Sequence, residues 1–583
     1  MITDAKTAFA QSSSLRLSRN PWRLPVPVMS GKRAFLDLLR QEGVEIVFGN
    51  PGTTELPLMD AFAVENDIRY ILGLQEAALM AMADGYAQAS GKLTVLNLHV
   101  APGLGNAMGM LFDAMQAGAP IMITAGQQDM EYLVTEPILS ADLPRLARPF
   151  VKFSDQVNRI EDLPRLVHRA AKTAMAPPTG PVFLSLPGDI LKNEADLDLM
   201  APTRIAPRLR GDADAVAAAA DLLAKAKRPV IIAGDAVAYS HAHAELIELA
   251  ELLGAPVYAE FVPNTASFPT SHPLFRGTMV RLAPDTRKVL DQYDVLFSVG
   301  ADLFTLSLPS PVDPMPPGMP LIHLDTDPWQ IGKNYPAQVA ILGDVKATLP
   351  DITAALRSGL SASAKAAARE RLDAATQAIR AEREALTTKA RALAGATPVQ
   401  PLALLDAIGQ MLPKDAVVIE EALSSAPGIR SLIASDDPQS YFGLRGGGIG
   451  WGLPAAVGAK LALPDRPVVA IVGDGSSLYT IQALWTAARY RIPVIWVILN
   501  NTSYRILKQR LVNMRGLAEQ ADTFVGMELT DPAVDFIGLA RSLGIEAERA
   551  KTVHEATDLI AKGLKGGGSL LIDVDMDRAY KPV

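Results

Sequence analysis

The 583-residue chain contains no cysteine, which excludes disulfides and thiolate metal sites. A protein without oxidative staples is expected in the cytoplasm. No uninterrupted apolar run reaches the length of about 18 residues that a transmembrane helix needs, so no membrane partner is expected. Positive charge is in deficit, with 55 Lys and Arg against 63 Asp and Glu and a net charge of -8. That balance argues against a general nucleic-acid binder. Residues 1–28 are Ser- and Arg-rich but lack helical periodicity and the apolar core of a secretory signal. They are expected to form a disordered or extended tail, from a floppy or over-extended start, with an interaction arm as the alternative. The remainder has the composition of a large-cored globular protein, 49% hydrophobic and 20% charged. Its length implies three or more domains.

Short apolar runs alternate with helix-like segments in three blocks. The first block spans 29–200. Its strand-like runs are 45–50, 69–76, 93–100 and 120–126, with helical segments at 77–89 and 105–115, and Ser30 is a candidate N-cap. The second block, 201–358, has runs at 228–235, 294–302 and 320–328. It is Rossmann-like, yet no GxGxxG follows its first run, which argues against dinucleotide binding there. An Ala/Arg/Glu-rich stretch within 359–397 reads as a solvated linker helix. The third block, 398–583, has runs at 416–422, 467–475, 492–501 and 568–576. Apolar strands alternating with helices predict an α/β protein of three doubly wound parallel-sheet domains, whose ligands bind outside the C-terminal strand ends.

Polar residues gather at those ends. Asp474 stands between Gly473 and Gly475 at the end of one run, and Asn501 closes the next. The glycines let the backbone turn and approach a ligand. Ser476 and Tyr479 follow where a helix would start, and free N–H groups there favour phosphate. A carboxylate, an amide oxygen and a nearby backbone carbonyl form a hard-oxygen set for Mg²⁺ or Ca²⁺, with diphosphate oxygens completing the shell. A lone GDG also fits a tight turn capped by Asp. Here, however, GDG is followed by 24 residues, 476–499, and then by two asparagines. That pattern resembles the thiamine diphosphate motif.

The resemblance extends over VFGNPGTTELP at 47–57, YILGLQEA at 70–77, ADGYAQAS at 83–90, NLHVAPGLGNAMG at 97–109 and GGGIGWGLPAAVG at 446–458. From Met29 onward the chain resembles thiamine diphosphate-dependent 2-keto acid decarboxylases, most nearly the benzoylformate decarboxylase family. The resemblance implies a pyrimidine-binding, a middle and a diphosphate-binding domain. It also implies cofactor held between the first domain of one subunit and the third of another, hence a homodimer at least and commonly a homotetramer. By the same resemblance Glu76, read as closing a strand, contacts the aminopyrimidine ring of the cofactor and favours its imino form. Ile449 props the cofactor into its bent shape, and the Gly447 carbonyl accepts from the pyrimidine amine. Asp474, Asn501 and the backbone of Ser503 hold the metal. Ser424, Ser476 and Tyr479, with Gly475 and Tyr504 beside them, line the diphosphate. His99, read as ending a strand beside a turn at 101–103, is the expected proton-transfer group; a structural role is the alternative. Thr53 supplies a hydroxyl for the substrate carboxylate, and Ile138 and Leu139 form an apolar pocket wall.

The chain also departs from that family. Leu306 and Ser307 stand where a second active-site histidine is expected. His272 matches a different position and is read as structural. Ile506 replaces a small residue, and Arg510 falls where an aromatic would meet a phenyl ring. The basic run at 505–510 is either a solvated helix turn or, through Arg505, Lys508 or Arg510, a contact for an anionic substrate group. The leading expectation is therefore a thiamine diphosphate- and Mg²⁺-dependent decarboxylase that converts a 2-keto acid to an aldehyde, with carboligase side activity. The alternative enzyme is a carboligase or lyase proper, resembling acetohydroxyacid synthase or 2-hydroxyacyl-CoA lyase; flavin is not expected. A non-catalytic assembly protein is the remaining class, and intact Glu76, Asp474 and Asn501 weigh against it.

Overall fold

The computed structural model describes residues 27–262, 264–306, 309–426 and 428–580. Three six-stranded sheets, parallel throughout, carry the chain. The first contains β1 (Ile46–Gly49), β2 (Arg69–Leu72), β3 (Thr94–Leu98), β4 (Ile121–Gln127), β5 (Ser154–Gln156) and β6 (Val182–Pro187), in the order β2-β1-β3-β4-β6-β5. The middle sheet contains β7 (Pro229–Ala233), β8 (Val257–Ala259), β9 (Phe275–Thr278), β10 (Val295–Val299), β11 (Leu321–Asp325) and β12 (Val339–Leu342). Its order is β9-β8-β7-β10-β11-β12. The third contains β13 (Val417–Glu421), β14 (Tyr441–Gly443), β15 (Val468–Gly473), β16 (Ile495–Asn500), β17 (Glu546–Ala550) and β18 (Leu570–Asp575), ordered β14-β13-β15-β16-β18-β17. The orders reverse between β1 and β3, between β7 and β10, and between β13 and β15; the first and third reverse again at their far edge, where β5 and β17 lie outside β6 and β18. Such switch points are where open α/β sheets accept ligands.

The central strands are buried on both faces, which is why they read as unbroken apolar runs. Along β3, Val95 points into one layer of core while Leu96 and Leu98 point into the other, as a period of two requires. The inner layer is shared by the first and third sheets. It is filled by α1 (Glu76–Ser90), which follows β2, and by α4 (Gly452–Ala462), which precedes β15. A methyl at Gly85 of α1 would stand 2.3 Å from the carbonyl oxygen of Ala455, and one at Gly458 of α4 would stand 1.9 Å from that of Met82. The two helices therefore cross in backbone contact. Leu79, Met80, Leu453 and Val457 are fully buried around the crossing, each contributing about 1.5–3 kcal/mol. Helix α2 (Val100–Ala117) follows β3, and α3 (Ala362–Ala392) is the expected solvated linker helix, with only Ala368 and Ala390 buried.

Several local expectations need correction. Glu76 does not close a strand: β2 ends at Leu72, and Glu76 is the first residue of α1, whose N-cap Gln75 accepts from the Ala78 amide at 2.9 Å. His99 is the N-cap of α2, and the expected turn at 101–103 is helical. Pro102 is tolerated in the first helical turn, where its missing N–H would have no partner. The helix expected after Gly473 is a single turn, Asp474–Ser477. Ser30 takes the N-cap position of the first helix without a side-chain cap bond. The expected tail lies outside the described residues up to residue 26, while Val28 pairs in a short antiparallel ribbon, Val28–Ser30 with Glu194–Asp196. Ser307 also lies outside the described residues.

Candidate active site

The switch point of the first sheet is built around a buried glutamate. The turn Thr53–Glu55 after β1 carries Glu55 inward until it is fully buried. Its Oε2 accepts from the Gly52 amide and faces His99 Nδ1, each at 2.8 Å. Its Oε1 accepts from the Gly126 amide at 2.8 Å and the Thr54 hydroxyl at 2.7 Å. A side chain at Gly52 would collide with the His99 ring at 2.1 Å, and one at Gly126 would meet Glu55 at 2.0 Å. Both glycines are therefore required by close approach. The carboxylate orients the ring, with the imidazole proton on Nδ1 and Nε2 left available.

Glu76 stands beside this pair. One helical turn after His99, the Gly103 amide donates to the His99 carbonyl at 2.8 Å, and a methyl at Gly103 would stand 3.5 Å from Glu76 Oε1. Glu76 Oε2 accepts from Asn106 Nδ2 at 3.0 Å. Thr53 is exposed at the same end of the sheet. Ile138, 82% exposed, and Leu139 follow β4 in an extended loop.

The third sheet presents its own set between β13 and β15. Asp474 is 3% exposed, and its Oδ2 has no hydrogen-bond partner. Burial pushes its carboxyl up to about 6, against the amides of Gly475, Thr502 and Ser503. Asn501 is buried beside it, donating to Ser425 Oγ at 3.3 Å and accepting from Ser503 Oγ at 2.8 Å. An orphaned buried carboxylate oxygen next to an amide oxygen is a donor set that fits a hard cation. Among the described residues no group of three His, Cys, Asp or Glu could hold a metal, so such a cation would take mixed oxygen ligands. Ser424 is half-buried, Ser476 is buried, and Tyr479 is 55% exposed around the same turn. Gly475 is required by Tyr504, whose ring would lie 2.5 Å from a methyl there.

The loop 446–450 rises beside this set. Gly447, at φ +86°, has open space where a side chain would stand, and Ile449 is half-buried next to it. The loop's far end is held by Glu421, which accepts from the Gly450 amide at 2.6 Å and the Gly452 amide at 2.5 Å.

The basic run after Tyr504 separates into different roles. On α5 (Arg505–Met514), Arg505 is buried and donates to the Ser424 and Asp577 carbonyls, and Lys508 is buried against Glu528 at 2.5 Å. Ile506 and Arg510 are half-buried. Arg510 has no hydrogen bond or ion pair among the described residues. His272, expected to be structural, lies against Glu251 at 3.3 Å and edge-on to Phe268.

The cavity beside Asp474, about 300 Å³, is lined by third-domain residues alone. Within one chain the first and third domains meet through the closed α1–α4 crossing, which leaves no room for a ligand between those helices.

Glu55, Thr54 and Asn106 were not among the expected site residues. The available signal was local: Glu55 stands three residues after Gly52, the spacing of a capping box, which marks a carboxylate folded back on its own turn.

Three family models match the chain. These are the N-terminal TPP binding domain of thiamine pyrophosphate enzymes over residues 29–142, the central domain over 216–352, and the C-terminal TPP binding domain over 428–574. A benzoylformate decarboxylase from Pseudomonas aeruginosa is 34% identical over 544 residues, covering 93% of this chain and 98% of that protein. A probable acetolactate synthase large subunit from Methanocaldococcus jannaschii is 29% identical over 94% of this chain and 92% of its own length. Among solved structures, a Rhodococcus jostii thiamine diphosphate-dependent 4-hydroxybenzoylformate decarboxylase superposes with a TM-score of 0.83 at 32% identity, over 95% of this chain and all of that one. Benzoylformate decarboxylase from Polynucleobacter necessarius gives the same TM-score at 31% identity, again over 95% of this chain and all of its own.

Proposed function

The chain belongs to the thiamine pyrophosphate enzyme family, and on that premise we propose that it decarboxylates a 2-keto acid to an aldehyde with thiamine diphosphate and Mg²⁺, with carboligation as a side activity. The observation that carries the reading is the placement of His99 and Glu76 together at one switch point, with His99 fixed by a buried carboxylate at 2.8 Å. When bound, thiamine diphosphate supplies the electron sink that loss of CO₂ from a 2-keto acid requires. Asp474, Asn501 and the Ser503 carbonyl would hold Mg²⁺, and Ser424, Ser476 and Tyr479 would contact the diphosphate beside Gly475 and Tyr504. The Gly447 carbonyl and Ile449 would seat the cofactor's head, and Glu76 would face its pyrimidine. The Thr53 hydroxyl would bind the substrate carboxylate. Conversion of the keto-acid anion to aldehyde and CO₂ consumes one proton. His99 Nε2, on a ring oriented by Glu55, would deliver it to the carbon that carried the carboxylate.

The closed crossing of α1 and α4 leaves the first-domain set to meet the third-domain set of another copy, so the enzyme would be a homodimer at least and commonly a tetramer. The domain limits 29–200, 201–358 and 398–583, joined by a linker at 359–397, belong to the same reading. Among the described residues no helix is long and apolar enough to cross a membrane, and the chain's lack of cysteine favours the cytoplasm.

The substrate pocket would include Ile138, Leu139, Ser307, Ile506 and Arg510. Burial first, and then the charges of Arg510 and Arg445 against that of Glu420, pull the Arg281 guanidinium down. Arg510 and Arg281 therefore lie near one another, and Arg510 has no anionic partner among the described residues. That favours a substrate with a second anionic group, and it keeps a carboligase or lyase proper as the second reading. The test is a panel of 2-keto acids and acyl-CoAs, followed for CO₂ and for ligated product with thiamine diphosphate and Mg²⁺. The proposal expects CO₂ and aldehyde from the wild type and loss of most activity in Glu76→Gln at unchanged fold. Full activity in that variant would refute it. Ligated product without free aldehyde would select the second reading.

A further inference from the structure

The middle sheet reverses order between β7 and β10, so its switch point would ordinarily be a ligand crevice. Here it is filled from within. The ends of β7 and β10 touch: a methyl at Gly234 would stand 2.1 Å from the Gly300 carbonyl oxygen. Three acidic residues crowd the point, Asp235 after β7, Glu260 after β8 and Asp302 after β10. Into them reaches Arg445, which belongs to the third domain and directly precedes Gly446. Its guanidinium pairs with Glu260, Nη2 donating to Oε2 at 3.1 Å while Nη1 lies 2.9 Å from Oε1, and it lies 3.5 Å from Asp235 and 3.9 Å from Asp302. Nη1 also donates to the Val262 carbonyl at 2.6 Å. Burial pulls the Arg445 guanidinium down, but Glu260 and Asp235 outweigh it and hold the charge firmly in place.

Glu260 passes the contact on. Its Oε1 accepts from the Asp235 amide at 3.2 Å and its Oε2 from the Asp302 amide at 3.0 Å. Asp302 is further tied to Lys333 at 2.8 Å. Two residues later Phe304 adopts φ +55° and packs on Phe261 and Tyr335, at ring distances of 5.3 and 5.4 Å. One ion pair thus connects the backbone before Gly446 to the loop that leads to Leu306 and Ser307. The loop 446–450 is anchored to each domain: through Arg445 to Glu260 of the middle domain, to Asp113 of α2, which accepts from the Gly448 amide at 2.9 Å, and to Glu421 of the third domain at Gly450. Gly447, between these anchors, is left open.

We propose that Arg445 is a positioning residue that locks the cofactor-facing loop 446–450 to the substrate-facing loop beginning at Asp302, acting through Glu260. The proposal rests on the cofactor reading above. A guanidinium held at one nitrogen by a carboxylate and at the other by a backbone carbonyl is fixed in orientation as well as distance, and a buried pair of this kind contributes specificity of arrangement more than net stability. The middle domain thereby sets the geometry at both loops while touching neither cofactor nor substrate through Glu260 itself.

The test is a double-mutant cycle on Arg445→Met and Glu260→Gln, with Arg445→Lys as the conservative variant. Three quantities are read: the Kd for thiamine diphosphate at saturating Mg²⁺ by calorimetry, the KM of the best 2-keto acid, and the melting temperature. Each single variant is expected to raise both Kd and KM by about fivefold or more, with Arg445→Lys in between and the double variant no worse than Arg445→Met. Values of Kd and KM within about twofold of wild type, with only the melting temperature lowered, would make the pair a mere strut and overturn the proposal. Multiplicative effects in the double variant would overturn it as well. If Arg445→Met does not fold, Glu260→Gln decides alone on the same criteria. Absence of thiamine diphosphate binding by the unsubstituted protein would instead overturn the cofactor reading, and this proposal with it.

Discussion

At the switch point of the first sheet both oxygens of the buried Glu55 are engaged, by two amides, a hydroxyl and an imidazole. At the corresponding point of the third sheet, Asp474 Oδ2 is buried with no partner. The two sheets have the same strand order, 2-1-3-4-6-5 when each domain's strands are counted from its start, so topology is not what distinguishes them. The difference lies in what each half is furnished for. The first is satisfied without a ligand, as a group that must hold and move protons in one geometry should be. The third keeps an unsatisfied carboxylate oxygen, which costs about 1–3 kcal/mol when buried and which, on the proposed reading, a cation would stabilise.

Substitutions at the two points should therefore fail in opposite ways. His99→Ala is expected to lower turnover by about a thousandfold, within the range for a lost acid–base group, while thiamine diphosphate affinity stays near wild type by calorimetry. Asp474→Asn is expected to do the reverse. Mg²⁺-dependent cofactor affinity should fall by about a hundredfold as the site loses its charged ligand, yet the cofactor-free protein should melt no lower than wild type, because the orphaned charge is gone. A large loss of cofactor affinity in His99→Ala would erase the distinction. Glu55→Gln should be milder, lowering turnover about tenfold to a hundredfold as the imidazole loses its orienting charge.

The last effect, on stability alone, concerns the contact between the two halves. Asp84 of α1 accepts from the Trp451 indole at 2.6 Å and from Gln88 at 2.8 Å, and burial pushes it up to about 6. A carboxyl raised in the folded state contributes stability fully at pH below its unfolded value of about 4, and loses it as pH rises through about 6, by roughly 3 kcal/mol. Asp84→Asn keeps an acceptor for the indole and removes the titration. Its melting temperature should exceed wild type at pH 8, with the difference vanishing near pH 4.

The sequence made the central strands legible because burial on both faces leaves an apolar run, as in β3, β4, β15 and β16. Less legible were strands that are short or half-polar, such as β5 (Ser154–Gln156), β9 (Phe275–Thr278), β14 and β17 (Glu546–Ala550), since an edge strand has one side free of the core. β6 (Val182–Pro187) carries the same apolar signal as its neighbours and was not among the expected strands. Within the site, residues in motifs were found, whereas their supports were not. Glu55 reaches Gly126 from 71 positions away, and Arg445 reaches Glu260 across 185, distances that no local pattern encodes. Glu76 was found, but it was assigned to the end of a strand because an apolar run does not reveal where the strand stops and the helix takes over.

The central claim is that the proton-handling half of one chain completes the cation-holding half of another. The most direct measurement mixes two inactive variants, Glu76→Gln and Asp474→Asn, carrying different affinity tags and co-expressed so that both tags are recovered in one oligomer. A shared site predicts return of about half of wild-type activity in the doubly tagged dimers, because each holds one intact site and one broken on both sides. Doubly tagged oligomers as inactive as either parent would contradict it.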